Sequence, residues 1–293
     1  MTRPISVIEA PSILGLSPSG VETLPEALLR AGLAARLQAQ RVTRVPAPPF
    51  DPRIDPQIHL LNPEGIAAYT PHLADAIERA LDGGEFPLVL GGDCAIVLGG
   101  LLALRRKGRY GLLFLDGHAD FYQPEAEPKG EAASMDLALA TGRGPSIVTA
   151  FEGFHPLVRD DDVVLLGRRD AEDAEKYGSQ RVEDTAIEVM DLQEVRRRGA
   201  VASASRGLER LSRSELQGFW IHVDADVLDD TVMPAVDYRM PGGLSFEELS
   251  AVLRTALASG KAVGLEVTIF NPKLDQDGSI ARSLTEALVR GLS

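Results

Sequence analysis

The runs LLFL (112–115) and VVLL (163–166) are apolar at every position, so a strand built from either must be covered on both faces. A strand with one wet face would alternate instead. Short β-rich runs recur near Ile5–Ala10, Arg41–Ala47, Pro87–Leu90, Tyr110–Leu115, Val163–Leu166, Ala186–Met190, Phe219–Val223 and Ala262–Val267. Between them lie amphipathic stretches at Glu64–Leu81, Ala95–Arg106, Ala171–Tyr177, Leu192–Arg197, Phe246–Ser259 and Ser283–Leu292. That alternation predicts βαβ units, and hence an α/β fold of three αβα layers around a mostly parallel sheet of about eight strands. The 293 residues read as a single domain, because the Pro- and Gly-rich stretches at 43–56 and 122–130 resemble loops rather than a hinge between two cores. The second of these is long and polar, the kind of loop that serves as a lid or binding loop.

Ligands of open parallel sheets bind beyond the carboxyl ends of the strands. Four such ends are chemically loaded here: VLGGDCA (89–95), LDGHAD (115–120), HVDADVLDD (222–230) and GLEVTIFNP (264–272). Asp116, His118 and Asp120 fall at alternate positions, as do Asp224 and Asp226, and alternate residues of an extended segment point the same way. If those strands are neighbours, four carboxylates and one imidazole converge. Left alone, so many like charges repel and push their pKa values up, whereas two divalent cations neutralise them. A single strand-end Asp ordinarily caps a turn. Two alternating acidic motifs at separate strand ends point instead to a binuclear hydrolytic site, and an oxygen-rich set with one imidazole suits Mn²⁺ or Mg²⁺ better than Zn²⁺ or Cu²⁺.

Composition narrows the partners. Lys and Arg total 30 against 43 Asp and Glu, a net charge of −13 that argues against nucleic acid or an anionic membrane as partner. No apolar run approaches the ~18 residues of a membrane span, and the N-terminal stretch carries no signal-like apolar segment. Cys94 is the single cysteine, so no intrachain disulfide forms, and a reducing cytoplasm is the expected location.

The motifs GGDC, DGHAD, DADVLD and GLE…NP, in this order, resemble those of the arginase/agmatinase/formiminoglutamase (ureohydrolase) family over about Leu88–Pro272. GRRDAEDAE (167–175) is similar to another of its segments. The resemblance implies an eight-stranded parallel α/β fold, a di-manganese centre, hydrolysis of a guanidino or amidino C–N bond on a small-molecule substrate, and a homo-oligomer such as a trimer or hexamer. It also implies that Asp116, Asp120 and Asp224 ligate one manganese and Asp116, His118, Asp224 and Asp226 the other. By the same resemblance Asp120 contacts the attacking water, and Glu172 and Glu175 contact the amino end of the substrate.

Three departures bear on function. Cys94 stands where the family's GGDH has an imidazole ligand, and reads as a neutral or weakly ligating thiol that leaves the first metal weakly or partly occupied. No histidine falls near Ala133–Ser134, where the family keeps its proton shuttle; His155 has no special neighbours, and His222 reads as a satisfied strand residue. In GLEVTIFNP one acid is kept as Glu266, while Ile269 replaces the acid that pairs with a guanidinium. An apolar residue cannot hold a desolvated cation, so a less basic amidine is expected in place of free arginine. The alternatives are a catalytically impaired metal-binding or regulatory paralogue and a single-metal amide hydrolase.

Overall fold

The computed structural model describes residues 3–293. Eight strands form one sheet: β1 (Ile5–Ala10), β2 (Arg41–Arg44), β3 (Phe86–Gly91), β4 (Gly111–Leu115), β5 (Val163–Leu166), β6 (Glu188–Met190), β7 (Phe219–Asp224) and β8 (Ala262–Thr268). Their order is β2-β1-β3-β8-β7-β4-β5-β6, and every pairing is parallel. The four strands whose ends carry the loaded motifs, β3, β8, β7 and β4, are thus adjacent at the centre of the sheet.

Parallel strands require crossovers, and these place helices on both faces. One face packs against helices Leu24–Arg30, Ala200–Leu211, Phe246–Ala258 and Ser279–Leu292, the other against Pro63–Asp82, Val97–Lys107 and Asp136–Ala140. In β4, Leu113 and Leu115 enter the first core and Leu112 and Phe114 the second, which is why the run is apolar throughout.

Three strands are shorter than expected, β4 by the single residue Tyr110. β2 stops at Arg44 instead of Ala47, at the sheet edge, and β6 begins only at Glu188. Helix Ala200–Leu211 was not predicted. Its buried stripe is Ala200, Ser203, Ala204, Gly207, Leu208 and Leu211, at helical spacing but mostly small, so it lacks the apolar bulk that signals a helix. Close approach demands the small residues: a Cβ on Gly207 would lie 2.7 Å from Val164 Cγ1.

Trp220 fills the sheet centre between two glycines. A Cβ on Gly264, its registered partner on β8, would fall 2.1 Å from the indole, and one on Gly100 would fall 2.8 Å from it. We expect Gly264→Ala to destabilise the protein by ~1–3 kcal/mol through overpacking, read as a lower urea midpoint with an unchanged slope.

Candidate metal centre

The convergence of the motif residues arises differently from the sequence expectation. β4 ends at Leu115, and residues 116–120 form a loop rather than an extended strand. Asp116 Oδ1 accepts a hydrogen bond from His118 N at 2.6 Å, and Asp120 sits in the left-handed region at φ 44°. Asp224 closes β7, and Asp226 lies in the 3₁₀ turn Ala225–Val227, whose first amides are drawn in as Asp226 N donates to Asp224 Oδ1 at 2.7 Å. Asp226 Oδ1 accepts from Gly117 N at 3.1 Å, so the two motifs are tied together directly. Gly117 has to be glycine: a Cβ there would meet Arg169 Nη1 at 2.5 Å and Asp226 O at 2.9 Å.

At the end of β3, Asp93 shapes the turn rather than facing the cluster. It accepts from Ser12 Oγ at 2.8 Å and from Ala95 N at 3.0 Å. Cys94 then points inward, its Sγ 2.9 Å from Asp224 Oδ2 and 3.1 Å from Thr268 Oγ1.

The structure therefore brings Asp116, His118, Asp120, Asp224, Asp226 and Cys94 together. Donor atoms of Asp116, His118 and Asp120 lie within 4.8 Å of one another, as do those of Cys94, Asp120 and Asp224. His118 Nδ1 is 2.9 Å from Asp226 Oδ2. All but the half-buried His118 are buried, and Asp116 Oδ2 has no hydrogen-bond partner. An orphaned carboxylate oxygen among oxygen and imidazole donors fits a hard divalent cation.

Burial raises the carboxyl of Asp116 to about 6, with the charge of Asp226 adding to the shift. Burial first, and neighbouring carboxylates second, also push Asp120, Asp136 and Asp224 well above the usual range. Burial disfavours the Asp226 charge too, but the facing His118 cation outweighs it and holds that carboxyl low. Burial, then Asp224, pushes the Cys94 thiol up, so it is a neutral donor to Asp224 in the absence of a metal.

A cavity of roughly 300 Å³ opens above the cluster. Cys94, His118, Asp120, Asp224 and Asp226 form its floor, and Tyr122, Glu127, Lys129, Asp173, Tyr238 and Ile269 line its walls. The loop 122–130 contributes three of those residues, Glu127 among them. Ile269 stands in the left-handed region at φ 66°, an outlier for a β-branched side chain and a sign of backbone held against its preference.

Two expectations need correction. Glu172 and Glu175 point outward from helix Ala171–Lys176, exposed and away from the cavity, which is lined there by Asp170, Asp173 and Tyr177. Glu266 does not face substrate either. It is fully buried and in register with His222, so the two side chains share a face and Glu266 Oε1 accepts from His222 Nδ1 at 2.8 Å.

Sequence reasoning also missed Asp136, Tyr238 and Lys129. Asp136 opens a short helix that buries its side chain in the core. Tyr238 OH donates to Glu131 Oε2 at 2.7 Å and lies 2.5 Å from Lys129 Nζ. Nothing in the surrounding sequence marks either as a cavity residue.

The raised carboxyls give a signed expectation. Their folded-state pKa exceeds the unfolded value, so their contribution to the stability of the metal-free protein is full below about pH 4 and is lost as pH rises through about 6 and beyond. Metal binding needs the ionised forms and grows over the same window. The gap in Tm between manganese-loaded and metal-stripped protein should therefore widen from about pH 5 to about pH 8. A constant gap would contradict this charge assignment.

The model of the Arginase family matches residues 3–292. Among curated relatives, the arginase of Bacillus caldovelox is 29% identical over 298 residues, covering 99% of this chain and 98% of its own. The crystal structure of the Bacillus subtilis arginase superimposes with a TM-score of 0.87 at 26% identity, covering 99% of both chains. The formimidoylglutamase of Bacillus subtilis shares the fold, with a TM-score of 0.75 at 19% identity and coverage of 99% of this chain and 86% of that one. With the family's model matched over nearly its whole length and acidic strand ends gathered into one buried cluster, this chain belongs to the arginase family, whose members are metal-dependent hydrolases of amidine C–N bonds.

Proposed function

We propose that the protein is a manganese-dependent hydrolase of a linear amidine or guanidino compound less basic than free arginine. The observation that carries the reaction class is the convergence of His118, Asp120, Asp224 and Asp226 on the floor of one cavity, with Asp116 buried against His118 and Asp120. These residues with Cys94 would hold two divalent cations, which supply a Lewis acid and an ionised water at neutral pH. Asp116 and Asp224 would be shared between the two positions. Asp120, on the cavity floor and held by its strained backbone, would orient the attacking water and take up its proton. His118 and Asp226 fix each other and complete the second position.

The substrate reading rests on Ile269, which lines the cavity without a charge. A guanidinium beside it would be desolvated with no counter-ion in contact. The arginase names of the relatives favour arginine, and Ile269 is the reason to set it second. Lys129 and Tyr238 reach the cavity as proton-bearing groups and would protonate the departing amine in place of the absent loop histidine. Asp173 at the cavity wall would receive a cationic amino end. No helix among the described residues is long and apolar enough to cross a membrane, in keeping with a freely diffusing substrate.

A second reading has specific support: the same three departures, at Cys94, at Ile269 and in the histidine-free loop around Ala133–Ser134, suit a metal-binding paralogue with little turnover. Manganese-loaded protein should release urea from L-arginine slowly and hydrolyse N-hydroxylated guanidines or formimino compounds faster. Ile269→Glu should raise kcat/KM for arginine by about tenfold or more, equivalent to about 1.4 kcal/mol, and change neutral substrates less. Efficient arginine hydrolysis by the unaltered protein would show that another acid holds the guanidinium. Failure on every amidine would favour the paralogue.

Cys94 sets the metal content. After dialysis the protein should retain about one manganese per chain, and Cys94→His should raise that towards two, because an imidazole is a better donor to manganese than a neutral thiol. Equal retention by both proteins, measured by elemental analysis, would remove Cys94 from the ligand set.

A further inference from the structure

Beneath the cavity floor, three side chains in register cross the sheet: Phe114 on β4, His222 on β7 and Glu266 on β8. Phe114 stacks flat on the imidazole, with centroids 4.4 Å apart and planes 11° apart. Nδ1 donates a hydrogen bond to Glu266 Oε1 at 2.8 Å. Ring plane and tautomer are thereby fixed, and Nε2 remains as a lone-pair donor with no hydrogen-bond partner. A carboxylate behind a histidine in this way is the usual support of a metal-ligating imidazole.

Asp136 meets it from helix Asp136–Ala140. Both of its carboxyl oxygens lack a partner, and both Asp136 and His222 are 0% exposed. A carboxyl buried without any hydrogen bond is costly in either protonation state, and an imidazole lone pair directed into a dry core gains nothing there. Cys94 closes the group: one donor atom from each of Cys94, Asp136 and His222 lies within 4.8 Å of the others. His222 reaches Asp116 and Asp224 within the same limit. Cys94 and Asp224 border the cavity whereas His222 and Asp136 do not, so an ion would enter through the floor.

We propose that Cys94, Asp136 and His222, with Asp224 or Asp116 as fourth ligand, bind a divalent cation of the zinc or cobalt type in a closed position beneath the cavity floor. His222 thus restores from β7 the imidazole that the turn after β3 lacks. Sulfur, nitrogen and oxygen donors in a four-coordinate set suit these borderline ions and suit manganese poorly. The inference is joined to the hydrolase reading, since Cys94, Asp116 and Asp224 would serve both positions.

The probe is Co²⁺ alone, added to the metal-stripped full chain. A thiolate-to-cobalt absorption in the near ultraviolet should appear and saturate at one equivalent. Cys94→Ser should abolish it, and His222→Ala and Asp136→Asn should each weaken cobalt binding by at least ~10-fold, with far-ultraviolet circular dichroism unchanged. Glu266→Gln should keep the band with weaker binding of the same order, as expected of a positioning residue. X-ray absorption of the cobalt-loaded wild type needs no variant and should find one sulfur neighbour and imidazole scattering. The inference is overturned by an all-oxygen shell without sulfur, or by a band that persists undiminished in both His222→Ala and Asp136→Asn. Loss of manganese-dependent hydrolysis with the cobalt band intact would instead refute the hydrolase reading and leave the buried site standing.

Discussion

Negative charge packed into a dry place governs this molecule. Asp116, Asp120 and Asp224 bring donor atoms within 4.8 Å of one another at the end of the central strands, with Asp226 tied to them through Gly117 and His118, and all four are buried. Moving even one carboxylate from water into such surroundings costs several kcal/mol, so the cluster is tolerable only when protonated or when cations occupy it. Much of the local structure serves that gathering. Glycines at 92 and 117 let backbone approach backbone, since a Cβ on Gly92 would lie 1.8 Å from Ser12 O. Amide donors from Gly117, His118 and Asp226 fix one carboxylate oxygen each, and Asp116 Oδ2 is left without a partner. Left-handed backbone at Asp120 and Ile269 aims two side chains at the same cavity.

The fold was legible because a buried parallel sheet leaves a coarse mark: uniformly apolar runs bounded by polar breaks. β3, β4 and β5 carry it throughout, whereas the edge strand β2, RVTR and exposed along its length, does not. Helix Ala200–Leu211 escaped because its buried stripe is made of Ala, Ser and Gly, residues selected by close packing rather than by hydrophobicity. The gathering of these acids was legible too, since two alternating acidic motifs at separate strand ends exceed what turn capping requires. The reason first given for their convergence was wrong: loop ties and a 3₁₀ turn gather them, not the pleat of a strand.

What lay hidden depends on long-range register. No local pattern pairs His222 with Glu266, 44 residues apart, or sets Asp136 against Cys94; the order β8-β7-β4 does. Glu172 and Glu175 were misplaced for a related reason, because a helix of six residues presents only one side to the cavity and its phase was unknown. The replaced residues make physical sense together. With Cys94 neutral, one imidazole is missing from the turn after β3, and the His222 imidazole on β7 has an Nε2 without a partner. Ile269, in turn, presents no charge to the cavity at its position.

The most direct test of this account is anomalous diffraction from crystals soaked in Mn²⁺ alone, recorded on both sides of the manganese absorption edge. The expected result is a peak within ~2.0–2.6 Å of donor atoms from Asp116, His118, Asp224 and Asp226. An ordered cluster without such a peak, its carboxylates turned to separate partners, would contradict the metal centre on which the whole functional reading rests.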